Sequence, residues 1–154
     1  MNKKYYIAYG SNLNVQQMAW RCPGAKVAGV GTLQDWQLAF RGSKTGSYLT
    51  IEPRKGSSVP VGVWEITDRD EQALDNYEGF PRFYYKRTVP IRVINYLTGK
   101  AKNVEAMVYI MHEDRPYGVP EQFYIDICAQ GYRDFYLEED TLQEAVKRAW
   151  KEVG

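Results

Sequence analysis

The sequence is short of the residue types that build metal centres and disulfide frameworks. Its 154 residues include two cysteines, Cys22 and Cys128, outside any C-x-x-C arrangement, and one histidine, His112. A structural zinc site would need carboxylates to complete its ligand set, which is uncommon, so we expect no metal site. Two isolated cysteines are typical of reduced, partly buried thiols in a cytoplasmic protein.

The chain also lacks an excess of charge of either sign and any long apolar run. Lys and Arg number 20 against 19 Asp and Glu, so the net charge is +1 and no bulk field favours nucleic acid or a membrane surface. No run of 18 apolar residues predicts a membrane span, and no apolar signal-peptide core precedes Gly10. We therefore expect a cytoplasmic protein that binds neither nucleic acid nor membrane.

Tyrosine, in contrast, is abundant, with 13 copies in an otherwise average composition of 44% hydrophobic and 25% charged residues. Its ring packs while its hydroxyl forms hydrogen bonds, which suits the wall of a pocket. Tyrosine also fills ordinary sheet faces, so the count leaves both interpretations open. The absence of a fixed-period repeat or long linker predicts that residues 1–154 form a single domain.

Local patterns predict an α+β fold whose sheet is closed or strongly curled, with helices at its ends and flank. Strands are predicted at residues 4–9, 26–33, 36–41, 48–53, 59–66, 84–96 and 103–111. Helices are predicted from Asn14, from Asp68 to a stop at Gly79, over residues 121–130, and from Asp140-Thr141 onward. Apolar stripes are predicted on the first helix (Val15, Met18, Ala19, Cys22) and the last (Leu142, Ala145, Val146, Ala149, Trp150, Val153).

The first candidate site is the segment Tyr9-Gly10-Ser11-Asn12-Leu13, here called the 9–13 loop. Gly10 allows the backbone to approach a ligand closely, and Ser11 and Asn12 add short polar side chains. The start of the following helix presents unpaired backbone N–H groups, which could bind a carboxylate or a developing oxyanion. An ordinary strand-to-helix connection, with Ser and Asn as caps, explains the same residues.

The second candidate is Glu78, at the C-terminal end of the helix predicted from Asp68 to a stop at Gly79. The helix dipole disfavours negative charge there, and so would burial among nearby aromatic residues, so both effects raise the pKa. A carboxyl group of raised pKa suits general acid/base chemistry. The alternative is an exposed Glu78 paired with Arg82, Lys86 or Arg87. The aromatic residues near it in sequence are Tyr77, Phe80, Phe83, Tyr84 and Tyr85.

Taken together, these motifs resemble the γ-glutamylcyclotransferase superfamily. The 9–13 loop is similar to its N-terminal signature, and Leu74-Asp75-x-x-Glu78-Gly79 resembles the segment that bears its catalytic glutamate. The resemblance covers roughly residues 4–135, and beyond Gly131 the segment Tyr132-Arg133-Asp134-Phe135-Tyr136 departs from the family pattern. Further similar segments are Leu33-Gln34-Asp35-Trp36, Val61-Gly62-Val63-Trp64-Glu65-Ile66, Tyr84-Tyr85-x-Arg87, Ala106-Met107-Val108-Tyr109-Ile110-Met111 and Tyr124-x-x-Ile127-Cys128-x-x-Gly131.

The resemblance implies a mixed β-barrel with flanking helices and a cyclisation that needs no cofactor. The substrate would be a γ-glutamyl amino acid or amine, whose α-amino group attacks the γ-carbonyl to give 5-oxoproline and a free amine. Glu78 would be the acid/base. The 9–13 loop would bind substrate, Tyr109 and Tyr124 would line the pocket, and Arg87 is a weaker candidate that a surface position on a strand explains equally.

Two other classes remain open from the sequence. One is a non-catalytic module of the same fold that binds a small ligand. The other is a nucleic-acid-binding barrel that uses its aromatic residues for stacking, which the near-zero net charge disfavours. The departure after Gly131 leaves the leaving-group specificity open, and the sequence is compatible with a homodimer without predicting one.

Overall fold

Five strands close into a mixed barrel in the structure, a computed structural model that describes residues 3–42 and 46–153. The strands are β1 (Lys4–Ala8), β2 (Lys26–Arg41), β3 (Tyr48–Ile66), β4 (Tyr84–Ile94) and β5 (Ala101–Met111), ordered β1-β3-β2-β4-β5 around the barrel. β1 runs parallel to β5, and the other neighbours are antiparallel. The helices over these residues are α1 (Val15–Arg21), α2 (Asp68–Glu78), α3 (Gln122–Asp134) and α4 (Asp140–Val153). The predicted α+β fold with a mixed barrel is confirmed.

The long hairpin β2–β3 replaces four of the predicted short strands. Its ladder continues past the Gly-, Ser- and Asp-rich stretches that we interpreted as breaks. At Asp35 the pairing shifts register, with φ of 66° at that residue, and the Asp35 carboxylate accepts a hydrogen bond from the Gly56 amide at 3.0 Å. The prediction of separate strands is wrong because such a bulge interrupts the sequence pattern without ending the pairing.

The helix that carries Glu78 begins with a capping box. Thr67, and not the predicted Asp68, is the N-cap: its hydroxyl accepts from the Asp70 amide at 3.1 Å, and the Asp70 carboxylate accepts from the Thr67 amide at 3.0 Å. The helix ends at Glu78, and Gly79 adopts the left-handed conformation with φ of 65°, as the predicted stop requires. The turn at Gly79 makes Glu78 the last residue of α2.

Helix α1 is capped as predicted, because the Asn14 side chain accepts from the Gln17 amide at 3.0 Å. The predicted apolar stripe is only half buried, however. Met18 and Cys22 lie in the core, whereas Val15 is 42% exposed. A helix of seven residues that contacts the barrel along one narrow face can bury only the side chains on that face.

Helix α3 extends beyond the predicted 121–130 and packs directly behind the 9–13 loop. A Cβ atom at Gly131 would lie 2.6 Å from the backbone carbon of Leu13 and from the Asn14 nitrogen. Such a contact is sterically impossible, so glycine is what allows the helix to approach the loop this closely. The 9–13 loop is therefore held between the barrel and α3.

Helix α4 packs against β2, with its buried face against the core. Leu142, Ala145 and Ala149 are fully buried, as the predicted stripe requires. Trp150 is 61% exposed, so its assignment to the core face is wrong, because it lies at the edge of the stripe where the helix surface meets solvent. None of the helices in the described ranges is long and apolar enough to cross a membrane.

Candidate active site

A pocket of about 350 Å³ lies between the 9–13 loop, the end of α2 and the walls of the barrel. Seven of the residues predicted for the site line it, although they come from four separate segments of the chain. These seven are Tyr9, Gly10, Ser11, Asn12, Glu78, Tyr109 and Tyr124. The structure thus brings the two candidate motifs together in one cavity.

Leu13, the remaining predicted binding residue, does not line this pocket. Its side chain is fully buried, and the close approach of Gly62 and Gly131 to it fixes its position in the core. Its backbone N–H donates to the Gly10 carbonyl at 3.0 Å, so that group is also occupied. Leu13 therefore anchors the loop from the core side, and its predicted contact with a ligand stays a prediction that this pocket does not support.

The loop itself forms a single 3-10 turn over Ser11–Leu13. The turn uses the amides of Leu13 and Asn14 as donors, which leaves the amides of Ser11 and Asn12 without an intrahelical acceptor. The Ser11 hydroxyl lies 3.2 Å from the Tyr77 hydroxyl on α2. Two backbone donors and a hydroxyl are thus located at the edge of the pocket.

Asn12 is fixed by hydrogen bonds on every polar atom of its side chain. Its Nδ2 donates to the Tyr6 hydroxyl at 2.8 Å and to Glu78 Oε1 at 3.4 Å, and its Oδ1 accepts from the Arg21 guanidinium. Its backbone carbonyl accepts from the Trp64 indole N–H at 2.8 Å. Because Arg21 can only donate, it sets the orientation of the amide and directs Nδ2 toward Glu78.

The carboxyl group of Glu78 has an unusually high proton affinity. Burial at the pocket disfavours its charged form and raises its pKa from 4.5 to about 7, and the positive charge of Arg21 opposes this effect only in part. Arg21 is held in place by Tyr77, whose ring stacks against the Arg21 guanidinium with its centroid 3.5 Å away. A carboxyl group whose pKa lies near 7 can accept and return a proton at physiological pH.

The alternative in which Glu78 forms a surface ion pair does not describe this structure. In the described part of the chain no lysine or arginine lies within ion-pair distance of Glu78. Lys86 instead bridges Glu71 and Asp75, at 2.8 and 2.9 Å. Arg87 is exposed over the ring of Trp36, so it is a surface cation and not part of the site.

Tyr109 and Tyr124, the two tyrosines predicted outside the 9–13 loop, are held by hydrogen bonds that differ in direction. The Tyr109 hydroxyl donates to Asp75 Oδ1 at 2.6 Å, and the Tyr124 hydroxyl accepts from the Leu49 amide at 3.0 Å. The Tyr9 hydroxyl donates to the backbone carbonyl of Tyr109 at 2.7 Å. Each ring is therefore fixed at the pocket wall before any ligand binds.

Sequence reasoning missed several residues of the lining, above all Tyr6. It lies on β1 three positions before the 9–13 loop and is 4% exposed. Its position on the strand that leads into the loop is the only signal the sequence offered. Other lining residues that were not predicted are Ile7, Tyr48, Leu49, Asn76, Tyr77, Gly79, Phe83 and Tyr84.

The segment that departs from the family pattern lies behind the pocket. Tyr132 is fully buried and donates to the Tyr9 carbonyl at 3.1 Å, and Phe135 packs edge-on against Trp64 with ring centroids 5.4 Å apart. Neither residue lines the cavity. Tyr132 therefore supports the 9–13 loop directly, and Phe135 supports it through Trp64, whose indole N–H donates to the Asn12 carbonyl.

The described ranges, 3–42 and 46–153, contain no group of three or more His, Cys, Asp or Glu side chains that could hold a metal ion. Glu78 is the carboxylate that lines the pocket. The chemistry available there consists of one acid/base group, hydroxyls and backbone amides.

Proteins of known structure share this architecture. A solved structure of a gamma-glutamyl cyclotransferase superposes with a TM-score of 0.75 at 26% identity, covering 95% of this chain and 87% of that one. The barrel therefore has the cyclotransferase fold. Human gamma-glutamylcyclotransferase is 30% identical over 138 residues, which span 84% of this chain and 70% of the human protein. Rat gamma-glutamylaminecyclotransferase is 26% identical over 80 residues, or 51% of this chain and 54% of the rat protein.

A family model described as gamma-glutamyl cyclotransferase, AIG2-like, matches residues 6–126. The chain belongs to this family. The match contains every residue predicted for the site, from Tyr9 to Tyr124.

Proposed function

We propose that the protein is a γ-glutamylcyclotransferase-type enzyme that converts a γ-glutamyl amino acid or amine into 5-oxoproline and the free amine. The observation that carries this proposal is a carboxyl group, Glu78, with a pKa of about 7 in a pocket lined by tyrosines. Family membership supports it, since the relatives include proteins named gamma-glutamylcyclotransferase and gamma-glutamylaminecyclotransferase. We also propose a cytoplasmic location, because Cys22 and Cys128 are both free thiols.

The reaction exchanges one C–N bond for another within the substrate. The lone pair of the α-amino nitrogen attacks the γ-carbonyl carbon and closes a five-membered ring, while the carbonyl π electrons move to oxygen. Glu78 takes the proton from the attacking nitrogen and gives it to the leaving nitrogen as the original amide bond breaks. No water is consumed, and Glu78 returns to its starting state.

The pKa of Glu78 suits both halves of this cycle. An α-amino group has a pKa of about 8, so a carboxyl group at about 7 exchanges protons with it at little free-energy difference. A solvated glutamate, near 4.3, would be a much weaker base. Because the nucleophile is part of the substrate, the pocket mainly has to hold the chain in an attacking conformer.

The surrounding groups supply that positioning. The amides of Ser11 and Asn12 are suited to the α-carboxylate, because backbone N–H groups without other acceptors bind anions. Tyr109 and Tyr124 line the same pocket and limit the space in it. The bond from Asn12 to Glu78 Oε1 restrains the orientation of the carboxylate at the pocket wall.

The test is release of 5-oxoproline from a panel of γ-glutamyl amino acids and amines. Wild type and Glu78→Gln are compared, with Glu65→Gln as a matched control, because Glu65 lies on β3 outside the pocket. We expect the Glu78→Gln rate to fall by about 10²–10⁴-fold, the usual contribution of a general acid/base. The control should retain the wild-type rate. For the wild type, kcat/KM should decrease as the pH falls, with a midpoint at about pH 7.

The other outcomes are equally informative. Equal release by wild type and Glu78→Gln would mean that another group transfers the proton. Absence of release from every panel member would contradict the proposed activity, and binding of the same compounds measured by calorimetry would then test a non-catalytic role.

A further inference from the structure

Three tyrosine hydroxyls around the pocket donate their protons in hydrogen bonds within the protein. The Tyr9 hydroxyl donates to the Tyr109 carbonyl at 2.7 Å, and the Tyr84 hydroxyl donates to the Leu49 carbonyl at 2.8 Å. The Tyr109 hydroxyl donates to Asp75 at 2.6 Å. A phenol has one proton, so these hydroxyls can offer a ligand only an acceptor.

Tyr6 is engaged in the opposite sense. Its hydroxyl oxygen accepts from Asn12 Nδ2, an amide nitrogen that can only donate. Within residues 3–42 and 46–153, the Tyr6 hydroxyl donates to no acceptor. Tyr124 also accepts, from the Leu49 amide, but it lies on α3 and has no hydrogen-bond partner in common with Glu78 among the described residues. Of these five hydroxyls, Tyr6 is therefore the one that combines a proton free for a ligand with a hydrogen-bond partner shared with Glu78.

This proton lies beside the group that performs proton transfer. A single atom, Asn12 Nδ2, bonds to both the Tyr6 hydroxyl and Glu78 Oε1, so the phenol and the carboxylate are adjacent in the pocket wall. Tyr6 is 4% exposed, and burial together with the charge of Glu78 keeps its pKa well above the ordinary value of 10. The phenol consequently stays protonated wherever the enzyme works.

The cyclisation needs a donor at this place. Attack on the γ-carbonyl transfers negative charge to its oxygen, and a donor already aimed at that oxygen stabilises the transition state more than the ground state. Glu78 cannot be that donor while it acts as the base, and hydroxyls that only accept would repel the oxyanion. The free proton of Tyr6 has the required polarity and position.

We propose that the Tyr6 hydroxyl donates a hydrogen bond to the γ-carbonyl oxygen of the substrate and stabilises the oxyanion formed during ring closure. This assignment rests on the proposed function and leaves the amides of Ser11 and Asn12 for the α-carboxylate. It makes Tyr6 a catalytic residue next to Glu78.

The first experiment compares the kinetics of Tyr6→Phe with those of a neighbouring control. Tyr6→Phe removes one oxygen atom, and we expect kcat to fall by about 10²-fold with little change in KM, as for loss of one oxyanion donor. Tyr5→Phe is the control, because the Tyr5 hydroxyl lies at the surface and bonds to Lys102 Nζ at 2.8 Å. The control should keep the wild-type kcat, and near-UV circular dichroism should show both variants folded. Wild-type kcat in folded Tyr6→Phe would overturn the proposal.

A second measurement separates oxyanion stabilisation from an indirect effect through Asn12 and Glu78. The probe is an N-alkyl monoamide of glutaric acid with a ¹³C-labelled amide carbonyl, which lacks the α-amino group and cannot cyclise. We expect its bound carbonyl stretch at lower infrared frequency in wild type than in Tyr6→Phe, because a hydrogen bond weakens the C=O bond. An identical frequency in the two proteins would overturn the proposal even if kcat had fallen.

The same probe distinguishes this inference from the proposed function. Turnover by wild type with no effect of Tyr6→Phe on kcat or on carbonyl frequency would overturn the role of Tyr6 alone. Absence of both turnover and probe binding in wild type would overturn the proposed function and the role of Tyr6 with it.

Discussion

Replacing Glu78 by glutamine is expected to make the protein more stable at alkaline pH while it removes activity. The carboxyl group has a pKa of about 7 in the folded protein because burial disfavours its ionised form, against 4.5 in the unfolded chain. Below pH 4.5 the group is protonated in both states and has no such penalty. As the pH rises toward 7, the unfolded chain ionises first, so the folded state loses relative stability, and above 7 the loss is complete.

The size of the effect follows from the two pKa values. At about 1.4 kcal/mol per pH unit between them, the ionised Glu78 destabilises the fold by up to about 3 kcal/mol at pH 8. Glutamine is neutral throughout, so the stability difference between Glu78→Gln and wild type should increase by that amount from pH 4 to pH 8. For a chain of this size, about 3 kcal/mol corresponds to a rise in Tm of about 6–12 °C.

Urea unfolding at a series of pH values measures this difference, and Glu71→Gln provides a control of opposite sign. Lys4 and Lys86 hold the pKa of Glu71 below its ordinary value, so its ionised form stabilises the fold above pH 4.5. Relative to wild type, Glu71→Gln should therefore become less stable as the pH rises. A Glu78→Gln difference that does not vary between pH 4 and pH 8 would refute the argument that burial raises the pKa of Glu78.

Two further predictions concern the groups that support the site. Gly131→Ala places a Cβ atom 2.6 Å from the backbone of Leu13, so we expect overpacking to lower the free energy of unfolding by about 1–3 kcal/mol. Cyclisation activity should fall as well, and urea unfolding and 5-oxoproline release measure the two effects. An unchanged free energy of unfolding would contradict the packing of α3 on the loop. Asp75→Ala leaves the Tyr109 hydroxyl without its acceptor and should lower the free energy of unfolding by about 1–3 kcal/mol. In a double-mutant cycle, adding Tyr109→Phe to Asp75→Ala should lower the free energy of unfolding little further.

The sequence predicts the helices of this fold better than its strands. Caps and stops are local, so Asn14 and Gly79 could be assigned from neighbouring residues alone, although the N-cap of α2 is Thr67 and not Asp68, and α3 continues past the predicted residue 130 to Asp134. The β2–β3 hairpin depends on pairing between distant residues. A bulge such as that at Asp35 is therefore indistinguishable from a strand end in the sequence.

The candidate site shows the same division. Glu78 and the 9–13 loop could be singled out from local chemistry and from the family resemblance, and their placement in one pocket agrees with that interpretation. The roles of Tyr6 and Arg21 could not be predicted, because they depend on the direction of hydrogen bonds to Asn12. Leu13 was assigned to the site because it belongs to the motif, yet its apolar side chain is drawn into the core.

The position of the C-terminal segment behind the 9–13 loop has a consequence for how this enzyme could diversify. Tyr132 and Phe135 support the loop from outside the cavity, whereas the side chains that line the cavity come from earlier positions in the chain, between Tyr6 and Tyr124. Natural selection for stability and selection for a new leaving group would thus act on different stretches of the chain. A lineage could rebuild its tail while retaining its substrates, or alter the pocket wall while retaining its tail.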